Sequence, residues 1–177
     1  MTREIASGKV VQSAFGAWDW RLSLASIDKN GPFSALPGVS RTSVLVDGAL
    51  DLISGSLTLM WDVPGTSHRY DGETPFEACL RSPSARFFNV MVRKGQADSD
   101  LNVYHDDAFL APVNGGTRCL LVLTGRFRVR LPSSTIVLEA EEGLLWPHAT
   151  AVLHVALDTP DGCLVDVSLR PSTQTPT

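Results

Sequence analysis

Sliding the chain along itself by 77 positions brings two stretches into register. Residues 41–48, Arg-Thr-Ser-Val-Leu-Val-Asp-Gly, fall on residues 118–125, Arg-Cys-Leu-Leu-Val-Leu-Thr-Gly. At the same offset residues 87–93, Phe-Phe-Asn-Val-Met-Val-Arg, overlie residues 164–170, Leu-Val-Asp-Val-Ser-Leu-Arg, and at an offset of 76 residues 74–76 overlie residues 150–152. A near-constant offset across three separated segments points to duplication of one unit. The segments are short, apolar and rich in β-branched and aromatic residues, so the unit is built of strands.

The first unit is organised around residues 20–48. Trp20, Leu22 and Leu24 alternate with Arg21, Ser23 and Ala25, the period of a strand with one buried face. Asn30-Gly31-Pro32 and Pro37-Gly38 punctuate a loop. Arg41 opens a second run, Val44-Leu45-Val46, which is predicted to stop in a hairpin at Asp47-Gly48. Further strands are predicted over residues 49–53, 56–61, 76–80 and 86–93, then over 118–123, 126–131, 135–139, 144–146, 151–157 and 164–169. Residues 9–15 read as a weak strand or loop. No stretch has a long helical period. Many short strands separated by turn signals predict an all-β fold of two jelly-roll units packed together, each burying one face of two sheets. The expected division is 1–93 for the first unit, 94–116 for a polar connector with a short strand or turn near 101–104, 117–170 for the second unit and 171–177 for a disordered Ser/Thr/Pro tail.

Composition limits the partners. The chain has 177 residues, 44% hydrophobic and 19% charged, and a net charge of −4 with no basic block, which argues against a nucleic-acid groove. No apolar run approaches the ~18 residues of a membrane helix, and no signal peptide opens the sequence. The three cysteines, Cys79, Cys119 and Cys163, lie far apart in apolar runs and are expected to be reduced, which suits the cytoplasm.

Several polar residues sit where strands should be apolar. Arg41 offers a planar fork that fits a carboxylate, but its repeat mate Arg118 equally suits a structural role shared by both units. Arg21 points away from Trp20 and Leu22, toward solvent or a polar interior; inside, it needs an anion or an acidic partner. Asn89 lies between Phe88 and Val90, with Asp166 as its mate, and either closes a ligand site or bonds a loop. Ser34 follows Phe33 in the loop and serves a ligand or the turn. The four tryptophans, Trp18, Trp20, Trp61 and Trp146, read as packing residues. No nucleophile elbow, paired Cys and His, or phosphate-binding glycine loop is present, so no catalytic residue is assigned.

Trp20-Arg21-Leu22-Ser23, Gly31-Pro32-Phe33-Ser34, Pro37-Gly38-Val39, Arg41-Thr42, Thr2-Arg3-Glu4-Ile5-Ala6 and Phe88-Asn89-Val90-Met91 with Arg93 together resemble the HutD/Ves family of small bicupins. The resemblance implies an RmlC-like bicupin linked to bacterial histidine utilisation. It also implies a lead-in of the type Trp-Lys-Asn-Gly-Gly-Gly before Thr2. Met1 stands there instead, so the expectation is a shorter member or a start upstream. The family pattern has aspartate two residues before the asparagine, where this chain has Phe87. A metal-dependent cupin needs converging histidines and a glutamate. His68, His105, His148 and His154 include no HxH pair, and residues 33–48 contain no histidine. His148 and His154, with Glu139, are the remaining candidates, and the expectation is no metal and no cofactor.

The function expected is therefore metal-free binding of a small carboxylated metabolite such as N-formylglutamate by a sensor or regulator of histidine utilisation. Arg21, Ser23, Ser34, Arg41, Asn89 and Met91 are the expected ligand-binding residues. The alternatives are a cupin-type isomerase or hydrolase, and an interaction module. A homodimer is compatible with all three; nucleic acid and membrane are not expected partners.

Overall fold

The computed structural model describes residues 1–10 and 16–173. Among these residues every regular element is a strand. The chain divides into two compact units, Met1–Ala97 with the returning Ser172, and Asp98–Pro171.

Unit 1 is one sheet folded over on itself. It contains β1 (Thr2–Gly8), β2 (Trp20–Ile27), β3 (Gly31–Pro32), β4 (Val39–Ser54), β5 (Leu57–Trp61), β6 (Ser67–Asp71) and β7 (Glu77–Arg93). The strand order is β1-β2-β7-β4-β5, with β3 on β7 and β6 on β4. The antiparallel pair of β4 and β7 is the spine, running from Val39↔Arg93 to Ile53↔Glu77. Its register shifts between Leu45 and Asp47 and again between Gly48 and Leu50. These bulges let two long strands leave one sheet and enter another. On one side of the bend lie β2 and β6; on the other lie β3 and β5.

Asp47-Gly48 is therefore a bulge and not the hairpin expected from its composition. Gly48 has φ of 86°, and a Cβ there would stand 2.1 Å from the Ser84 carbonyl oxygen. The left-handed backbone that glycine permits bends a continuous strand here instead of reversing it. A second strand break also disappears. The two runs expected over 76–80 and 86–93 are one strand, β7, because Pro83 falls in the gap of the β4 ladder between Leu80 and Ala85, where no N–H is required.

Unit 2 contains β8 (Ala97–Tyr104), β9 (Ala108–Leu110), β10 (Thr117–Thr124), β11 (Arg126–Arg130), β12 (Thr135–Glu139), β13 (Gly143–Pro147), β14 (Leu153–Leu157) and β15 (Cys163–Pro171). They form two sheets, β13-β10-β15-β8 and β12-β11-β14-β9. Split unit 1 at its bulges and the same orders appear, β6-β4-β7-β2 and β5-β4-β7-β3. The registers coincide as well. Arg41↔Met91 and Ser43↔Asn89 become Arg118↔Ser168 and Leu120↔Asp166, each moved by 77. Leu50↔Leu80 becomes Phe127↔Leu157 by the same shift.

The expected connector, 94–116, holds β8 and β9, the counterparts of β2 and β3, and the short strand or turn expected near 101–104 is the end of β8. Its polar sequence hides a strand whose inward positions are small, Ala97 and Ser99, rather than large and apolar. The second unit thus begins about twenty residues earlier than the connector reading placed it. β6 was not expected either, because its Ser-His-Arg-Tyr-Asp sequence carries only one apolar side chain. The expected tail begins later than residue 171, since β15 reaches Pro171 and the Ser172 amide donates to the Gln96 carbonyl. Residues 174–177 of that tail, and 11–15 of the weak strand or loop, lie outside the described residues.

Each unit has its own core. In unit 1 Leu45, Leu50, Leu52, Phe76 and Phe87 surround Trp61, whose ring meets Phe87 edge-on at 5.3 Å. In unit 2 Leu110, Leu120, Val122, Phe127, Leu153 and Leu164 pack together, all buried. Burial of each such side chain contributes about 1.5–3 kcal/mol.

The three cysteines are free thiols, and two are buried. Burial, with the nearby Asp166 charge, pushes the Cys119 thiol from 9.0 up to about 12, and burial alone pushes Cys163 up to about 11. A thiol held neutral by the fold supports stability below its unfolded pKa and loses that support as pH rises toward the folded value. Unfolding free energy in urea should hold level up to about pH 9, then fall by about 2 kcal/mol or more by pH 11. Cys119→Ala should be less stable at neutral pH but show a shallower alkaline decline.

Candidate functional site

Strand pairing in unit 1 sets side chains in rows, because residues opposite each other in an antiparallel ladder share a face. One row crosses β2, β7, β4 and β6 as Arg21, Met91, Arg41 and Tyr70. The next is Ser23, Asn89 and Ser43. The third, Ala25, Phe87 and Leu45, enters the apolar core. A polar layer two rows deep therefore lies on hydrophobic packing.

Arg41 dominates that layer. It is only 7% exposed, yet its Nε and Nη2 donate to one amide oxygen, Asn89 Oδ1, at 3.2 and 3.0 Å. The same oxygen accepts from Ser43 Oγ at 2.7 Å, and Ser43 Oγ is 2.6 Å from the Tyr70 hydroxyl. A guanidinium can only donate, which fixes the amide with its oxygen toward Arg41. Asn89 Nδ2 then faces away, buried and without a partner among the described residues. The Phe33 ring lies 4.3 Å from the Arg41 guanidinium carbon, and the Tyr70 ring 5.9 Å. Burial lowers the Arg41 pKa; Tyr70 works against this and the like charge of Arg21 adds to it. Guanidinium remains a cation at neutral pH regardless. Among the described residues no carboxylate pairs with it.

Unit 2 solves the same problem differently. Arg118, the counterpart of Arg41, is 3% exposed and donates from Nε to Asp166 Oδ1 at 2.8 Å, with Nη2 at 3.5 Å from Oδ2. Burial pushes the Asp166 carboxyl up, while the charge and hydrogen bond of Arg118 pull it down. The pair sets charge against charge, although Arg118 Nη1 is buried without a hydrogen-bond partner among the described residues. At the equivalent position unit 1 has Asn89, so Arg41 has an acceptor but no counter-charge.

Arg41 lines a half-open cavity of about 860 Å³. Arg21, Ser23, Ser34 and Met91 line it too, so five of the six residues expected around a ligand share one space. The sixth, Asn89, lies behind Arg41 and orients it. Ser34 is exposed at the rim, and Ser23 Oγ is buried with no partner among the described residues. Arg21 reaches the interior with Nε 2.8 Å from Glu4 Oε2, a half-exposed pair. Sequence reasoning missed Ser43 and Tyr70, which hold Asn89 in place. Ser43 was legible as the residue two places after Arg41 on a strand, hence on its face. Tyr70 was not, since β6 itself went unseen.

Among the described residues no group of three His, Cys, Asp or Glu side chains is placed to hold a metal ion. His154 stacks on Phe109 at 4.6 Å, and His148 occupies a turn with φ of 53°. Phe87, where the family pattern has aspartate, is a buried core residue.

The HutD family model matches residues 1–165. The chain belongs to the HutD family. Protein Ves of Cronobacter sakazakii is 28% identical to this HutD-family chain over 143 residues, covering 78% of the chain and 74% of the relative. The solved structure of HutD from Pseudomonas fluorescens SBW25 superposes with a TM-score of 0.74 at 18% identity, over 97% of this chain and 88% of that one. A cupin 2 conserved barrel domain protein from Leptotrichia buccalis superposes with a TM-score of 0.59 at 11% identity, over 97% and 88%. The fold is that of the cupin barrels, carried twice. No helix among the described residues is long and apolar enough to cross a membrane.

The two arginine environments predict unequal responses to loss of charge. Asp166→Asn should destabilise the protein by about 3 kcal/mol, because it leaves Arg118 buried without its counter-ion. In thermal unfolding that is a fall of about 6–12 °C for a chain of this size.

Proposed function

We propose that unit 1 is the receptor for a small carboxylated metabolite, with Arg41 as its anchoring cation. The observation that carries this is the buried guanidinium at the floor of a cavity with an amide where the duplicated unit has a carboxylate. Burying a charge without a counter-ion is unfavourable, and a ligand carboxylate supplies the missing charge. Nε and one N–H of Nη2 are held by Asn89, which leaves the Nη1 edge for the ligand. An edge of two N–H groups matches the two oxygens of a carboxylate.

The role fits a sensor or regulator of histidine utilisation, the process to which the family resemblance points. N-Formylglutamate is the first ligand to test. A ligand of about a dozen heavy atoms at about −0.4 kcal/mol per atom binds with about −5 kcal/mol, a Kd of about 0.3 mM. That range suits a molecule reporting the level of a catabolic intermediate. A cytoplasmic location accords with the free thiols.

Asn89→Asp tests the proposal without emptying the core. It gives Arg41 the partner that Arg118 already has. The variant should be more stable than wild type by about 1–2 kcal/mol, a rise of about 2–8 °C. Its affinity for N-formylglutamate in calorimetry should fall by at least about tenfold. Wild-type affinity in Asn89→Asp would remove Arg41 from the binding site.

A further inference from the structure

β12 ends its sheet, and part of its outer edge is open to a further strand. The ladder fixes which backbone groups face that edge. The Asp158 N–H donates to the Arg126 carbonyl, so Arg126, Arg128 and Arg130 turn their backbone groups to β14. By alternation Phe127 and Val129 bond Leu138 and Ile136. Thr135, Val137 and Glu139 therefore turn theirs outward. Glu139 is closed by its own turn: its N–H donates to Glu142 Oε2, and its carbonyl accepts from the Glu142 N–H. Thr135 and Val137 have no such cover, and Val137 is 48% exposed. The strand carries no lysine, proline or bulge, devices that commonly blunt an edge. Unit 1 blunts the equivalent edge. Its Met60 carbonyl, 77 residues before Val137, accepts from His68 Nε2 at 2.9 Å. Leu145 stands 77 residues after His68, so unit 2 lacks the equivalent cap.

We infer that β12 is the seam of a homodimer, pairing antiparallel with β12 of a second copy about a two-fold axis at Val137. This is independent of the unit 1 cavity. The axis sets Val137 against Val137 of the partner, and the two exchange a pair of backbone hydrogen bonds. It also sets Thr135 opposite Glu139 of the partner. The Thr135 N–H then reaches a carbonyl that holds one hydrogen bond and has a second lone pair. On the inner side Ile136 meets Leu138 of the partner, both members of the apolar core of unit 2. Two sheets become one continuous sheet.

Charge selects a second copy in this register. On the outer face β11 presents Arg126, Arg128 and Arg130. Arg126 lies 3.7 Å from Glu139, and Arg128 holds Asp158 at 2.8 Å. Arg130 has His154 on one side, Thr135 on the other and no counter-ion among the described residues. The two-fold extends its row to Glu139 and then Arg126 of the partner. Neighbouring strands lie about 4.8 Å apart, so the backbones of Arg130 and the partner's Glu139 are about 9.6 Å apart. Two long side chains meet there above the short Thr135. Each Glu139 then lies between an arginine of either copy, and the contact occurs twice. Sliding the register by two residues sets Thr135 opposite Val137 of the partner and leaves Arg130 without a carboxylate.

A seam of one short strand belongs to the small, transient class of interfaces, so the test runs at high concentration. In sedimentation velocity the full-length wild type should pass from monomer toward dimer between about 1 and about 500 µM. Val137→Lys sets two cations on the axis without removing a hydrogen bond inside the monomer, and a thermal melt confirms folding; it should stay monomeric. Arg130→Glu and Glu139→Arg should each raise the dimer Kd at least about fivefold, and the double variant, which exchanges the charges, should return it to within about twofold of wild type. A wild type that is monomeric at about 500 µM would overturn the inference. Unchanged dimerisation of Val137→Lys would put the seam elsewhere and overturn it too. A double variant no tighter than the single ones would overturn the register centred on Val137.

Discussion

A buried guanidinium must have its charge answered, and the two units of this chain answer it in two ways. Arg118 has the Asp166 carboxylate. Arg41 has the Asn89 amide, the Phe33 and Tyr70 rings and a half-open cavity. Everything proposed about unit 1 follows from that difference. Hydrogen bonding alone satisfies the geometry of Arg41; it does not offset the desolvation of a full charge. The apolar layer beneath, with Phe87 and Leu45 two rows further in, keeps water from doing so from below.

The architecture explains why such a residue can be held at all. Arg41, Ser43 and Asn89 lie on the two long strands that form the spine of unit 1, on the side of the bend where β2 and β6 flank them. Rigid strands on both sides fix the rows. Trp61 adds a strut, its indole N–H donating to the Ser43 carbonyl at 3.1 Å. Phe33 arrives from the loop after β3 and covers the guanidinium face.

Much of this was legible in the sequence, and what was not has identifiable causes. The offset of 77 exposed the duplication, and the match of Arg41 with Arg118 and Asn89 with Asp166 marked the two networks before any pairing was known. Large apolar residues announced most strands. β6 and the first half of β8 stayed hidden because their inward positions carry small or polar side chains, and pattern reading depends on bulk. Asp47-Gly48 misled because a glycine with positive φ serves a bulge as well as a hairpin, and composition does not tell them apart. Within the site, Tyr70 was lost with its strand, whereas Arg21 and Ser23 were found because alternation with Trp20 and Leu22 is strict.

The contrast between Asn89 and Asp166 has an evolutionary side. Codons for asparagine and aspartate differ at a single base. A gene that has doubled a β unit with a buried arginine–aspartate pair is thus one transition away from exchanging an internal ion pair for a buried cation without a counter-ion. A unit with the carboxylate keeps stability that a unit with the amide gives up. Duplication followed by a difference of one carboxylate is a short route from scaffold to the proposed receptor.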